Sequence, residues 1–359
     1  MIVPVARVLT CLKFLFLLLC CLAIAATNGC SRQRSASNEA AGGTEITVIT
    51  QPGTPIVIKS SSAEFRVLPS GYIQPQLLDN GTPVRLDDPH NANSAAGDTL
   101  ISAGKEIRDF KMDLDHPNIS DASARLGKKG KRIELKGQST SLPGLQKIMA
   151  VEVYEDFPNL ALSSTSYKNT GNADIQVDQV LTQQHFLNAS LSDQQAAPYS
   201  MWSFHGSSEA WGKDDVMKIT DKFVRANPMQ TMMSNDENRT GGGIPVVAFW
   251  TGSVGEAIGH AEVVPLKLSL PVKAGTDGRV TASVTMDANS TLSPGQVYAT
   301  PLTFVSVFHG DFYEALRMYS RMLQVRGLSL AHPDQSDYEA NWCGWGYEMD
   351  FTPKQMIDT

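Results

Sequence analysis

From residue 44 onward the chain is written in short runs with a period of two, each closed by turn residues, and this limits it to antiparallel β architecture. Residues 45–50, 55–59 and 64–68 carry β-branched and apolar side chains and are bounded by Pro52-Gly53, Ser60 to Ser62 and Pro69 to Gly71. Asn80-Gly81 and Gly97-Asp98 add hairpin or loop signals. The same pattern predicts strands over 147–155, 160–168 and 175–181, with Asn169 to Asn172 punctuating the last two. In Val151-Glu152-Val153-Tyr154-Glu155 the valines share one face and the glutamates the other, the pattern of a strand with one buried side. Residues 244–251 form a more continuous apolar run behind Gly241 to Gly243, as expected of a central strand covered on both faces. Runs at 261–271, 279–286 and 301–308 extend the sheets.

One segment departs from this period. Phe312, Ala315, Leu316, Tyr319, Met322 and Leu323 recur at helical spacing, Asp311 and Glu314 suit a capping start, and Gly327 suits a stop, which predicts a helix over 311–326. The last nineteen residues, 341–359, then gather Trp342, Trp345, Tyr347, Glu348 and Asp350 before Thr352-Pro353-Lys354-Gln355. Thr352 as N-cap, Pro353 at the first helical position and Gln355 reaching back make a strand-to-helix junction. Two turns of helix are too short to be stable alone. The sequence therefore reads as a protein that ends where a further domain begins.

The start of the chain carries a compartment signal. Arg7 and Lys13 precede an uncharged apolar run from Phe14 to Ala26, shorter than the roughly 20 residues that a helical membrane span needs. Residues 1–29 therefore read as a secretory signal peptide. Cleavage is expected either after Ala23-Ile24-Ala25 or before Cys30, where Gly29-Cys30 resembles a bacterial lipoprotein processing site with Thr27 departing from the motif. Residues 30–43, rich in Ser, Ala, Gly and Asn, read as a tether. The expected location is exported: periplasmic, lipid-anchored through Cys30 at the outer surface, or extracellular. Cys11, Cys20 and Cys21 fall in the leader, so the mature chain lacks the cysteines for a disulfide framework and relies on a core.

The charge balance, 30 Lys and Arg against 37 Asp and Glu, argues against nucleic-acid binding and is neutral toward uncharged sugars. The seven histidines form no His-Glu-x-x-His or Cys/His pattern, so no metal site and no cofactor is expected. Ser253 lacks the spacing of a nucleophile elbow and reads as a turn residue. Residues 199–211, with Trp202, Phe204, His205 and Trp211 around Gly206, read as an aromatic loop. Trp202 and His205 either contribute to a sugar site, where aromatic faces stack on sugar rings, or plug the end of a sandwich.

Asn341-Trp342-Cys343-Gly344-Trp345-Gly346-Tyr347, followed by an acid and Phe351-Thr352-Pro353, resembles the first barrel strand of glycoside hydrolase family 36, the melibiase-type α-galactosidases, with their Trp-x-x-Trp pattern. The resemblance extends back through Val151 to Pro158, Tyr167 to Gly171, Met201 to Phe204 and Gly243 to Val247. It implies a mainly β chain: a large antiparallel β-supersandwich over 44–310, a linker helix and connection over 311–337, and over 338–359 the first β/α unit of an incomplete (β/α)8 barrel. It also implies that Trp345 lines the galactose pocket, that Trp342 supports its wall and that Tyr347 joins them in binding substrate. Residues at the C-terminal ends of barrel strands line the active site, which agrees.

Retaining glycosidases need two carboxylates about 5 to 5.5 Å apart, and in this family they lie on later barrel strands. Glu348 and Asp350 do not match those motifs, so no catalytic residue is assigned in this chain. The expected function is that of an N-terminal fragment of an exported or lipid-anchored enzyme hydrolysing terminal α-galactosides, itself inactive. The alternative is a non-catalytic β-sandwich module that binds carbohydrate or docks a partner. The expected partner is a carbohydrate, with membrane contact only through a lipid anchor.

Overall fold

The computed structural model describes residues 45–90, 95–206, 216–229, 244–328 and 352–358. Three antiparallel sheets dominate it. The first is a five-stranded meander, Thr47–Ile49, Ile56–Lys59, Ala63–Val67, Ile73–Asp79 and Thr82–Val84. Its last turn is set by Asn80-Gly81: Asp79 pairs with Thr82, and Asn80 and Gly81 sit at φ 50° and 82°. Two consecutive positive φ values give the turn whose twist matches the flanking strands, and Asn-Gly adopts it at least cost.

The second sheet has eleven strands, centred on Gly130–Ser139, Leu145–Tyr154, Phe157–Asn169, Val246–Trp250, Gly255–His260 and Thr303–Phe308. The third has six, centred on Ile175–Leu187 and Val280–Leu292. The largest core lies between the sheets and includes Phe65, Val151, Tyr167, Val180, Phe249, Val284 and Val305.

Strand Val246–Trp250 is buried along its whole length. Val247 and Phe249 enter this large core, whereas Val246, Ala248 and Trp250 enter a second one. The second core is closed by helix Phe312–Val325, whose Ala315, Tyr319 and Met322 are buried on the outer face of the eleven-stranded sheet. The continuous apolar run at 244–251 is the imprint of this double cover. Asp311 caps the helix by accepting from the Tyr313 amide at 3.0 Å, and Glu314 pairs with Arg317 rather than completing a capping box.

Two sequence expectations change. Residues 261–271 hold no strand; Ser269 bridges Pro228 and Thr285, and Leu268 and Leu270 are buried in the large core. Pro265 and Pro271 deny the ladder two donors, and Val263 and Val264 are exposed. The strand lies just before, at Gly255–His260, hidden in sequence by its glycines and its charged and polar residues. Likewise the glutamate side of Val151 to Glu155 is not open to water. Glu152 is buried beneath Arg132, which donates to it at 2.6 Å, and the Tyr154 hydroxyl, at 2.7 Å.

The glycines of strand Gly255–His260 are required by packing. A Cβ at Gly259 would overlap the Pro245 carbonyl oxygen and meet Phe304 Cε1 at 3.0 Å. Gly259→Ala is expected to cost about 1–3 kcal/mol, read in urea as a lower midpoint at unchanged slope. A midpoint equal to wild type would show that strand Val246–Trp250 shifts freely.

Candidate functional site

Of the residues that the sequence nominates, Trp342, Trp345, Tyr347 and Cys30 lie outside the described residues. So do Trp211, Glu348 and Asp350. The junction beside them is described: Pro353–Asp358 is helical, and Gln355 Oε1 accepts from the Thr352 amide at 2.7 Å, the reciprocal cap expected of that tetrapeptide.

Trp202 is not on a loop, whereas His205 lies just past the strand that carries Trp202. Trp202–Phe204 is a strand paired with Val246–Trp250 on one side and Val216–Lys218 on the other, and its three residues are too few to show a period. Trp202 is 46% exposed, opposite Trp250. His205 is buried, stacked on Phe223 at 5.3 Å. Ser203 Oγ donates to Met217 O at 3.2 Å, so it accepts from His205 Nε2–H at 2.8 Å. Burial, with Arg225 nearby, pulls the His205 pKa down to about 3. The ring is therefore a neutral core residue, and it shares no open face with Trp202.

The densest chemistry among the described residues is a cluster with no local signature in the sequence: Asp87, His185 and Glu256. Glu256 comes from strand Gly255–His260, on the side facing the six-stranded sheet. His185 comes from strand Ile175–Leu187, just past an irregularity in which Gln183 takes φ 48°. Asp87 follows the five-stranded meander and bridges Leu187. His185 Nδ1 lies 2.8 Å from Asp87 Oδ2 and 3.0 Å from Glu256 Oε1. Tyr72 Oη donates to Asp87 Oδ2 at 2.7 Å and accepts from the Phe186 amide at 3.1 Å.

Burial lifts both carboxyl groups, Glu256 to about 7, with the Asp87 charge adding to the rise. For His185 burial acts downward, but Glu256 and Asp87 outweigh it and raise the imidazole to about 9. A histidine between two carboxylates has the parts for acid–base chemistry. Here all three are at most 1% exposed, and no substrate reaches them. The cluster can hold a proton or a cation in place. The signal for it in sequence is a polar residue inside a strand buried on both sides, and it is legible only once those strands are extended to 187 and back to 255.

A surface cleft of about 1010 Å³ lies over the same region, with Phe186 in its wall and Arg108, Lys111 and Arg279 around it. Arg279 stands 4.9 Å over the Phe186 ring. Asp109, also in the wall, is held at about 2 despite partial burial, because Thr140, Ser139 and Ser141 all donate to it.

No family model matches the chain. In sequence it is similar to an A type blood alpha-D-galactosamine galactosaminidase of Flavonifractor plautii, 23% identical over 262 residues, which are 72% of this chain and 23% of that protein. In fold it is similar to the family 36 glycoside hydrolase alpha-galactosidase AgaB of Geobacillus stearothermophilus, with a TM-score of 0.50 and 15% identity over 74% of this chain and 42% of that one. It is also similar to the galactosidase domain of the alpha-galactosidase-sucrose kinase AgaSK, with a TM-score of 0.53 and 11% identity over 76% and 43%. The chain thus spans about a quarter of the curated relative and under half of these structures. A mainly β chain whose antiparallel sheets match these structures has the fold of the N-terminal sandwich portion of family 36 glycoside hydrolases.

Proposed function

We propose that this chain is the N-terminal portion of an exported glycoside hydrolase that removes terminal α-linked galactose or a 2-amino derivative of it. The supporting observation is the joint likeness: a galactosaminidase in sequence and α-galactosidases in fold, each over about three quarters of this chain. In this reading the sandwich braces a barrel that follows it. Trp345, with Trp342 and Tyr347 beside it, forms one wall of the sugar pocket, and the two catalytic carboxylates are supplied by barrel strands beyond Thr359. Export through the leader, with Cys30 as lipid attachment point, belongs to the same proposal.

The test uses chromogenic α-galactoside and α-galactosaminide substrates. The 359-residue chain is expected to give no turnover. The protein extended by the sequence that follows Thr359 in the gene is expected to hydrolyse one of them, with kcat/KM reduced about tenfold by Trp345→Ala, equivalent to about 1.4 kcal/mol. Turnover by the 359-residue chain, or none by the extended protein on either glycoside, would overturn the proposal.

A further inference from the structure

The hydrogen bonds around His185 fix which of its nitrogens carries the proton. Thr303 Oγ1 donates to Ser163 O at 3.2 Å, so it must accept from Gln183 Nε2, also at 3.2 Å. That leaves Gln183 Oε1 as an acceptor, and His185 Nε2–H donates to it at 3.1 Å. In the neutral ring Nδ1 is then a bare lone pair. It faces two carboxylates, themselves acceptors only when ionised. Asp87 Oδ1 and Glu256 Oε2 are fully buried and have no hydrogen-bond partner among the described residues, and Glu256 Oε1 has His185 Nδ1 beside it at 3.0 Å. Among the described residues no lysine or arginine lies within ion-pair distance of either acid, and the charge of Arg85 acts on Asp87 only from further off.

Without a cation the cluster needs two protons, one on Nδ1 shared with Asp87 and one on Glu256, to leave no buried charge unpaired. A divalent cation resolves every part of the arrangement. Its charge balances the two carboxylates, it takes the Nδ1 lone pair, and it accepts the orphaned oxygens as ligands. Ligand atoms 2.0–2.1 Å from a tetrahedral zinc ion lie about 3.3 Å apart, and Nδ1 already sits 2.8 and 3.0 Å from its two neighbours. The outer contacts also suit a metal site. A ligating histidine ordinarily donates its second N–H to an oxygen that orients it, and a ligating carboxylate is held by a further donor. Gln183 and Tyr72 fill those two positions.

We propose that Asp87, His185 and Glu256 form a structural binding site for one first-row divalent cation, zinc foremost, through His185 Nδ1 and the two carboxylates. The set contains nitrogen and oxygen donors and no sulfur, which suits zinc or manganese better than copper(I), while the imidazole disfavours calcium and magnesium. The ligands arrive from three segments far apart in sequence, one on each large sheet and one at the end of the meander. The ion therefore clips the layers together, and its binding energy becomes folding energy. This inference does not depend on the enzymatic reading.

The experiment refolds the full chain from chelator-treated denaturant with either zinc chloride or EDTA, followed by desalting. Elemental analysis is expected to find about one zinc per chain, with a melting temperature about 5 °C above the EDTA sample at a hundredfold excess of zinc over its Kd. Glu256→Gln, nearly isosteric, should abolish both effects. Cobalt(II) in place of zinc should give the visible absorption of a nitrogen–oxygen site without a thiolate charge-transfer band, a readout on the unaltered chain should Glu256→Gln fail to fold. Zinc that stays bound in folded Glu256→Gln, a sulfur signature from cobalt, or wild-type chain free of zinc with equal melting temperatures would each overturn the proposal.

Discussion

Lys147→Met is expected to destabilise the chain by about 3–5 kcal/mol. Lys147 stands on strand Leu145–Tyr154 with its side chain wholly buried, paired with Asp98, itself 4% exposed. Its ammonium also lies 5.8 Å from the centre of the Phe110 ring. Removing the lysine leaves Asp98 ionised without a partner in a medium that solvates it poorly, and that orphaned charge rather than the lost contact sets the size of the effect. Asp98→Asn added to Lys147→Met removes the charge and should restore about half of the loss, a coupling measured by a double-mutant cycle in urea. A Lys147→Met variant within about 1 kcal/mol of wild type would mean that water reaches the pair.

The second large effect is one of pH. His205 titrates at about 3 in the folded protein because burial and Arg225 disfavour its charged form, while in the unfolded chain it titrates near 6.5. Between those values the unfolded state binds a proton that the folded state refuses. The stability that neutral His205 contributes is complete above about pH 6.5 and is lost as pH falls toward 3, by about 1.4 kcal/mol per unit. Compared with His205→Gln, wild type should therefore lose about 3 kcal/mol between pH 6.5 and 4. His260, lowered to about 4 by burial, titrates alike in both proteins and cancels in the difference. A difference that stays flat with pH would show that the imidazolium is solvated in the folded state.

Three strands of the meander, Thr47–Ile49, Ile56–Lys59 and Ala63–Val67, and in the central sheet Leu145–Tyr154, Phe157–Asn169, Val246–Trp250 and Thr303–Phe308 were legible because their apolar residues lie between turn residues with strong backbone preferences, and Asn80-Gly81 specified its turn by chemistry alone. Helix Phe312–Val325 announced itself by its apolar stripe and Asp311. Strands that carry polar residues into the interior were not legible. Ile175–Leu187 reads as ending at 181 because Thr182, Gln183, Gln184 and His185 follow, yet three of those four are buried. Gly255–His260 carries no strand signal of its own, because local pattern cannot show that both of its faces are covered. The Asp87–His185–Glu256 cluster depends on these two strands, so it was invisible for the same reason. Ser253 was placed correctly, in the turn where the Thr251 amide donates to Val254 O.

Strand Val246–Trp250, which sends alternate side chains into two cores, has a consequence for how the molecule comes apart. Detaching helix Phe312–Val325 would bare Ala248 and Trp250 on the same five residues whose other side chains, Val247 and Phe249, anchor the sheets to each other. The two cores therefore share a backbone, and loosening one removes the support of the other. The helix is better described as the keystone of a single cooperative unit, melting with the sheets rather than before them.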